Sequence, residues 1–182
     1  MNSLSSTKGT VAEEMQDVAL RALMRSEAKL LDAIAARIFP TTDTPGAREA
    51  GAIWYIDRAL ADAYRDLLPR YRRGLRALNR YARTQYGQPF PALSESQQDR
   101  VLTDLEAGRV AGIPNGGEFF DIVRCHVLEG VFGEPSYGGN RGMVGWRLVG
   151  FPGQQFGYAD AYINRVVDLP PVAADEPAKE EV

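Results

Sequence analysis

Residues 116–153 read GGEFFDIVRCHVLEGVFGEPSYGGNRGMVGWRLVGFPG, and the change of pattern at Phe132 decides how the chain is read. Before it, Phe119, Ile122, Val123, His126, Val127 and Gly130 recur at three- and four-residue intervals, the period of one broad helical face. After it, glycine occupies positions 133, 138, 139, 142, 145, 150 and 153, seven of the 22 residues from Phe132 to Gly153. Each glycine in a helix interior costs about 1 kcal/mol relative to alanine, so this half is expected to form a shaped loop and no stable helix. Tyr137, Arg141, Trp146, Arg147 and Phe151 are interleaved with those glycines. A flexible linker would carry serine and acids there, whereas aromatics and arginine are the usual anchors of interfaces. The loop therefore either folds back on the helices as an Ω-loop or docks on a partner.

Upstream the helical period repeats. Leu30, Leu31, Ile34 and Ile38 share a face in a helix that Ser26 can cap and Pro40 stops, and the helical pattern begins as early as about Val11. After the turn at 41–46, residues Ala50, Ile53, Trp54, Ile56, Asp57, Ala59 and Leu60 predict a well-buried second helix. A third starts near Pro69, which needs no donor in a first turn, and buries Tyr71, Leu75, Leu78 and Tyr81 or Ala82 until Gly87 and Pro89 end it. Ser94 with Gln97 forms a capping box for a short helix carrying Val101, Leu102 and Leu105. No segment of similar length alternates as a strand does, so the expected fold is an all-α, single-domain bundle of five or six helices with a long Gly-rich aromatic loop near the C-terminus. Residues 1–10 are expected to be a flexible N-terminus, 11–169 the helical domain and 170–182 a disordered tail.

Composition narrows the chemistry. The 182 residues hold 45% hydrophobic side chains, enough for one sizeable core, and 21 basic against 24 acidic residues leave no field to attract nucleic acid or an anionic membrane. A single cysteine, Cys125, and a single histidine, His126, exclude an intrachain disulfide, a cysteine-ligated cluster and a multi-histidine metal site. Residues 1–40 hold no apolar run long enough for a signal peptide or membrane span, so direct membrane insertion is not expected and the chain reads as cytoplasmic, the alternative being a periplasmic protein carried by an exported partner.

His126 and Glu129 are three apart on one helix face, a spacing open to proton transfer, yet without further ligands a structural histidine is the expectation. Arg124, His126 and Glu129 are instead expected to hydrogen-bond to the Gly-rich loop, which has many backbone groups to satisfy. Cys125 points about 100° away from His126 around the helix and reads as buried and inert. The arginines between 65 and 83 have Asp57, Asp62 and Asp66 nearby in a chain that is acidic as a whole, which suits a solvated helix face better than a nucleic-acid surface.

The order of residues also resembles a known family. His126-Val127-Leu128-Glu129-Gly130-Val131-Phe132, Glu134-Pro135-Ser136-Tyr137-Gly138-Gly139-Asn140, Gly145-Trp146 and Gly150-Phe151-Pro152-Gly153 strongly resemble the gluconate 2-dehydrogenase subunit 3 family. Ile38-Phe39-Pro40, Thr44-Pro45-Gly46-Ala47 and Tyr55-Ile56-Asp57-Arg58 resemble its first half, so the likeness spans about residues 28–153. The resemblance implies a small helical subunit, without catalytic residues or a cofactor of its own. Its partner would be a large FAD-dependent dehydrogenase of the glucose-methanol-choline type that oxidises a sugar, sugar acid or other polyol and passes electrons to a cytochrome c subunit or another acceptor. The small subunit then serves folding, stability or export of the large one, with Arg124, His126, Glu129, Pro135, Tyr137, Gly138, Gly139, Asn140, Trp146, Phe151, Pro152 and Gly153 shaping the loop or the interface. This chain departs from the family in having its only adjacent arginine pair, Arg72-Arg73, inside a helix and not in a twin-arginine leader, in Glu134 where aspartate is usual, and in Val127 where threonine is common. The alternative is an independent helical binding or scaffold protein that uses the same loop.

Overall fold

A computed structural model describes residues 19–153 and 171–173. The expected flexible N-terminus, the helical onset near Val11 and most of the expected tail lie outside the described residues. Within them the protein is all-α: α1 (Arg25–Ile38), α2 (Ala52–Ala61), α3 (Leu68–Tyr86), α4 (Glu95–Glu106), α5 (Gly116–Phe132) and α6 (Val144–Val149), with four short 3-10 turns between. The single strand-like pairing among the described residues joins Gly153 to Val172.

The amphipathic spacing places Leu31 and Ile34 of α1, Ile53, Ile56 and Leu60 of α2, Tyr71, Leu75 and Leu78 of α3, Val101 and Leu105 of α4, and Phe119, Val123 and Val127 of α5 in one core, each no more than 2% exposed. Burying each such aliphatic or aromatic side chain contributes roughly 1.5–3 kcal/mol, so this shared face, and not helix propensity, holds the bundle together. Two glycines of the core are fixed by contact. A Cβ on Gly74 would lie 2.4 Å from the Phe119 ring, and one on Gly130 would lie 2.9 Å from Ala52 Cα, so α5 approaches α3 and α2 closely at those points.

Pro69 falls in the first turn of α3, Ser94 and Gln97 form the reciprocal cap of α4, and Ala82, not Tyr81, completes the buried face of α3. The start of α1 differs from expectation. The helix begins at Arg25 behind Met24, so Ser26 lies inside its first turn. The Met24 N–H is satisfied by Glu27 Oε2 at 3.0 Å, and the residues before it are held by Asp57 of α2. Asp57 is 2% exposed and accepts the backbone N–H groups of Arg21, Ala22 and Leu23 at 2.7, 3.0 and 2.8 Å. Three charge-assisted bonds make burial of a carboxylate tolerable and fix the incoming chain more firmly than a hydroxyl cap would.

The glycine-rich half also differs, because Val144–Val149 is helical despite Gly145. A Cβ at Gly145 would stand 2.0 Å from the Val131 carbonyl oxygen. The propensity cost is thus accepted in return for a short helix packed directly on the end of α5, tertiary contact overriding local preference. Of the expected tail only residues 171–173 are described; there the Val172 N–H donates to the Pro152 carbonyl at 3.1 Å and Ala173 is buried.

Candidate functional site

The last four carbonyls of a helix have no partner within it. At the end of α5 three of these, on Glu129, Gly130 and Phe132, accept from the Gly133 N–H at 2.7 Å, the Asn140 N–H at 2.7 Å and the Trp146 Nε1–H at 2.7 Å. The glycine-rich segment is therefore a tertiary cap for α5. Asn140 is its buckle: fully buried with φ +44°, it donates through Nδ2 to the Gly133 carbonyl at 2.9 Å and accepts through Oδ1 the Gly145 N–H at 2.9 Å. Asparagine tolerates the left-handed region better than other residues with side chains, and its amide has one donor and one acceptor for these two orphans. Gly139 is required by contact, since a Cβ there would lie 2.2 Å from the Gly130 oxygen.

Trp146 packs inward, 5% exposed, edge-on to Phe151 with ring centroids 5.0 Å apart. Gly153 lies over the same indole, with Pro152 bonded to Val172 beside it. The Arg141 N–H donates to Ala50 of the first half at 3.0 Å, tying the segment to the entry of α2. Pro135 opens the 3-10 turn Pro135–Tyr137 and Gly138 follows at φ +104°. Outward, Tyr137 (64% exposed), Val149 (60%), Phe151 (47%) and Leu148 (40%) leave an apolar surface. Among the described residues these are four of the five large exposed hydrophobics, the fifth being Met24.

Arg124, His126 and Glu129 do not shape this segment through their side chains. Arg124 pairs with Asp121 at 3.0 Å on the surface, as its i,i+3 spacing allows. His126 is buried, with Nδ1 2.8 Å from the Tyr71 hydroxyl and its ring stacked on Tyr64 at 4.4 Å between centroids. Glu129 accepts from the Tyr55 hydroxyl at 2.7 Å and the Tyr64 hydroxyl at 3.4 Å. The helix face that carries His126 and Glu129 turns toward α2 and α3, while the loop crosses the helix end, so the two sets are served by different surfaces of α5. Burial pushes the His126 imidazole below its ordinary pKa, partly opposed by the Glu129 charge. Burial raises the Tyr55 and Tyr71 phenols well above theirs, with Glu129 adding to both. This is a cross-linked polar cluster joining three helices, in which every group has a partner. Cys125 is exposed, contrary to the expectation of a buried thiol, because the residue before the inward-facing His126 turns outward.

Sequence reasoning missed the role of Asp57. The signal was present for Asp57, an acid on the same face as Ile53, Ile56 and Leu60, a position that only a satisfied carboxylate can hold. Among the described residues, no group of three His, Cys, Asp or Glu side chains converges as a metal site, and no helix is long and apolar enough to cross a membrane.

Fold and site together define a small helical protein whose elaborate feature is a rigid, outward-facing arm clamped to the end of its central helix. A family model for gluconate 2-dehydrogenase subunit 3 matches residues 25–153, well over half of the chain, and the protein belongs to that family. No curated protein and no solved structure matches it.

Proposed function

We propose that the chain is a non-catalytic accessory subunit that binds a large FAD-dependent dehydrogenase of the glucose-methanol-choline type, acting on a sugar, sugar acid or glucoside. In that complex the large subunit carries flavin and catalytic base, and electrons leave through a cytochrome c subunit or another acceptor. The observation that carries the reading, beside family membership, is the division of labour within the arm. Asn140, Gly139 and Trp146 face inward and spend their hydrogen bonds and contacts on α5, while Tyr137, Leu148, Val149 and Phe151 face out. A preorganised arm loses little entropy on docking, so its apolar face is available for affinity.

The glycines also do not suit a dinucleotide. Pyrophosphate is bound where helix N-terminal N–H groups and the positive end of the dipole converge, whereas this segment closes on the carboxyl end of α5, where carbonyls point out. That geometry supports placing the flavin in the partner.

Co-purification tests the proposal. Full-length tagged chain, expressed with its neighbouring dehydrogenase, is expected to bring down a yellow flavoprotein of several hundred residues in a defined ratio. A colourless monomer from the same cells, with the flavoprotein folded and active in the flow-through, would refute it.

A further inference from the structure

Helix α3 reads LPRYRRGLRALNRYARTQY, with six arginines and no acid. Taking those six from the 21 basic residues of the chain leaves 15 against 24 acidic ones, so an acidic protein gathers its positive charge on one helix. Tyr71, Leu75, Leu78 and Ala82 bury the inner face of that helix. Arg73, Arg76, Arg80 and Arg83, spaced by three, four and three, fall within about 80° of one another on the other side, along about 15 Å of helix. All four are exposed. Two arginines beside them are answered, Arg70 by Glu118 at 2.7 Å and Arg72 by Glu27 at 3.6 Å. Among the described residues no carboxylate oxygen lies within 4.0 Å of the other four. The stripe borders a groove of about 380 Å³ between α3 and the loop before α5, whose lining includes the buried Gly74, Ile113 and Phe119 and the charged Arg70, Arg73 and Glu118. The same loop runs on beside the stripe, since a Cβ on Gly112 (φ +86°) would stand 3.1 Å from Arg80 Nη2. Phe119 lies about 20 Å along α5 from the Phe132 end that the arm caps, so this surface is separate from the arm.

We infer that the stripe and its groove form a second docking surface, for an acidic segment of another protein chain that carries one large apolar side chain. Four unspent guanidinium forks match carboxylates in two-point fashion and set the register of the segment. The Glu118 charge in the groove is balanced by Arg70, and the buried Phe119 and Ile113 give a single side chain an apolar seat in a cavity near the low end of ligand-pocket sizes. The length of the stripe fits a short occupant, about five extended residues or ten helical ones. A nucleic-acid duplex or an anionic bilayer presents negative charge far beyond that length and would also meet the acidic remainder of the chain. A short acidic segment meets the arginines alone.

The test titrates full-length ¹⁵N-labelled chain with the end-blocked synthetic peptide Glu-Glu-Asp-Phe-Glu-Glu-Asp-Glu and follows the backbone amides and the arginine Nε–H signals. The Gly74, Gly112 and Ile113 amides and the Arg73 and Arg80 Nε–H signals are expected to move saturably, while the Gly145 amide and the Trp146 indole in the arm stay in place. Arg76→Gln/Arg83→Gln should melt as wild type, both side chains being exposed, yet bind the peptide roughly fivefold or more weakly. Arg100→Gln/Arg147→Gln removes the same charge elsewhere and should bind within about twofold of wild type. Replacing the peptide's phenylalanine by glycine should weaken binding by roughly fivefold or more through the lost apolar burial. Absent, linear or surface-wide shifts, or equal weakening in the two double variants, overturn the surface. A glycine peptide that binds as well as the phenylalanine one overturns the role of the groove. Phosphatidylcholine–phosphatidylglycerol vesicles or a single-stranded oligonucleotide that bind more tightly than the peptide, and lose affinity in Arg76→Gln/Arg83→Gln, overturn the choice of a protein segment. Peptide binding that emerges only in Asp175→Asn/Glu176→Gln/Glu180→Gln/Glu181→Gln shows that the chain's own acids cover the stripe, which overturns the assignment to another chain.

Discussion

Replacing Asn140 by alanine is the sharpest perturbation of the arm. The change removes a donor from the Gly133 carbonyl and an acceptor from the buried Gly145 N–H, and it leaves a Cβ at φ +44° without the side-chain bonds that hold it there. Orphaning a buried backbone group costs about 1–3 kcal/mol, here for each of two groups, and the left-handed conformation about 1–2 kcal/mol for alanine, so the loss is about 3–8 kcal/mol. Asn140→Gly relieves only the conformational part and should recover about 1 kcal/mol of that loss. Asn140→Asp keeps the acceptor for Gly145 but sets an oxygen against the Gly133 carbonyl at a fully buried position, and should be as damaging as alanine. For a chain of this size 1 kcal/mol shifts the melting temperature by about 2–4 °C, so Asn140→Ala should melt about 6 °C or more below wild type in differential scanning calorimetry of the full-length chain. A shift under about 2 °C, or glycine melting below alanine, would refute the reasoning that Asn140 clamps the arm.

The remaining expectations separate inward from outward residues. Trp146→Ala should lower stability by about 3–5 kcal/mol, because the indole is buried and bonded within the chain, and flavoprotein retention should fall only as a consequence; normal melting with lost retention would reverse the assignment. Tyr137→Ala should melt as wild type and weaken retention of the flavoprotein, measured by pull-down, since the ring is largely exposed. Gly139→Val has no space beside the Gly130 carbonyl and should resemble or exceed Asn140→Ala in melting temperature. The folded-state pKa of His126 lies below its unfolded value near 6.5, so its contribution is intact above about pH 6.5 and is lost as the pH falls toward the depressed folded value. The urea midpoint should therefore fall between pH 7.5 and 5 more steeply in wild type than in His126→Gln, and parallel profiles would count against a buried neutral imidazole.

Helix existence was legible wherever apolar residues recurred in register, as at Leu30-Leu31-Ile34 and Val101-Leu102-Leu105, because burial of a stripe outweighs local preference. The Ser94–Gln97 cap was legible because both partners are local. What could not be read was whatever depends on residues far apart in sequence. Asp57 replaces Ser26 as the organiser of the entry to α1 across more than thirty positions, and Gly145 is helical because α5 lies against it. The Gly-Gly-Asn run announced an unusual backbone, yet its acceptors at 130 and 133 are visible only once α5 is in place. His126 and Glu129 meet Tyr71 and Tyr55 and not the loop for the same reason: a helical period says which residues share a face and is silent on what that face meets.

The capping of α5 by its own downstream chain bears on the order in which surfaces appear. Beyond the bonds that Asn140 makes to Met143 and Gly145 within it, the arm's acceptors are backbone carbonyls of α5 and of Ala50, so its template is complete only once those elements are set. The outward face of the arm thus acts as a certificate of completion: Tyr137 and Phe151 take up their presented positions only on a chain whose interior is finished. Native-state hydrogen exchange should show the Asn140 and Gly145 amides opening together with the final turn of α5, as one cooperative unit. If the arm docks as proposed, a chain built in this way withholds its docking face while it is still a folding intermediate, which would protect both chains from premature association.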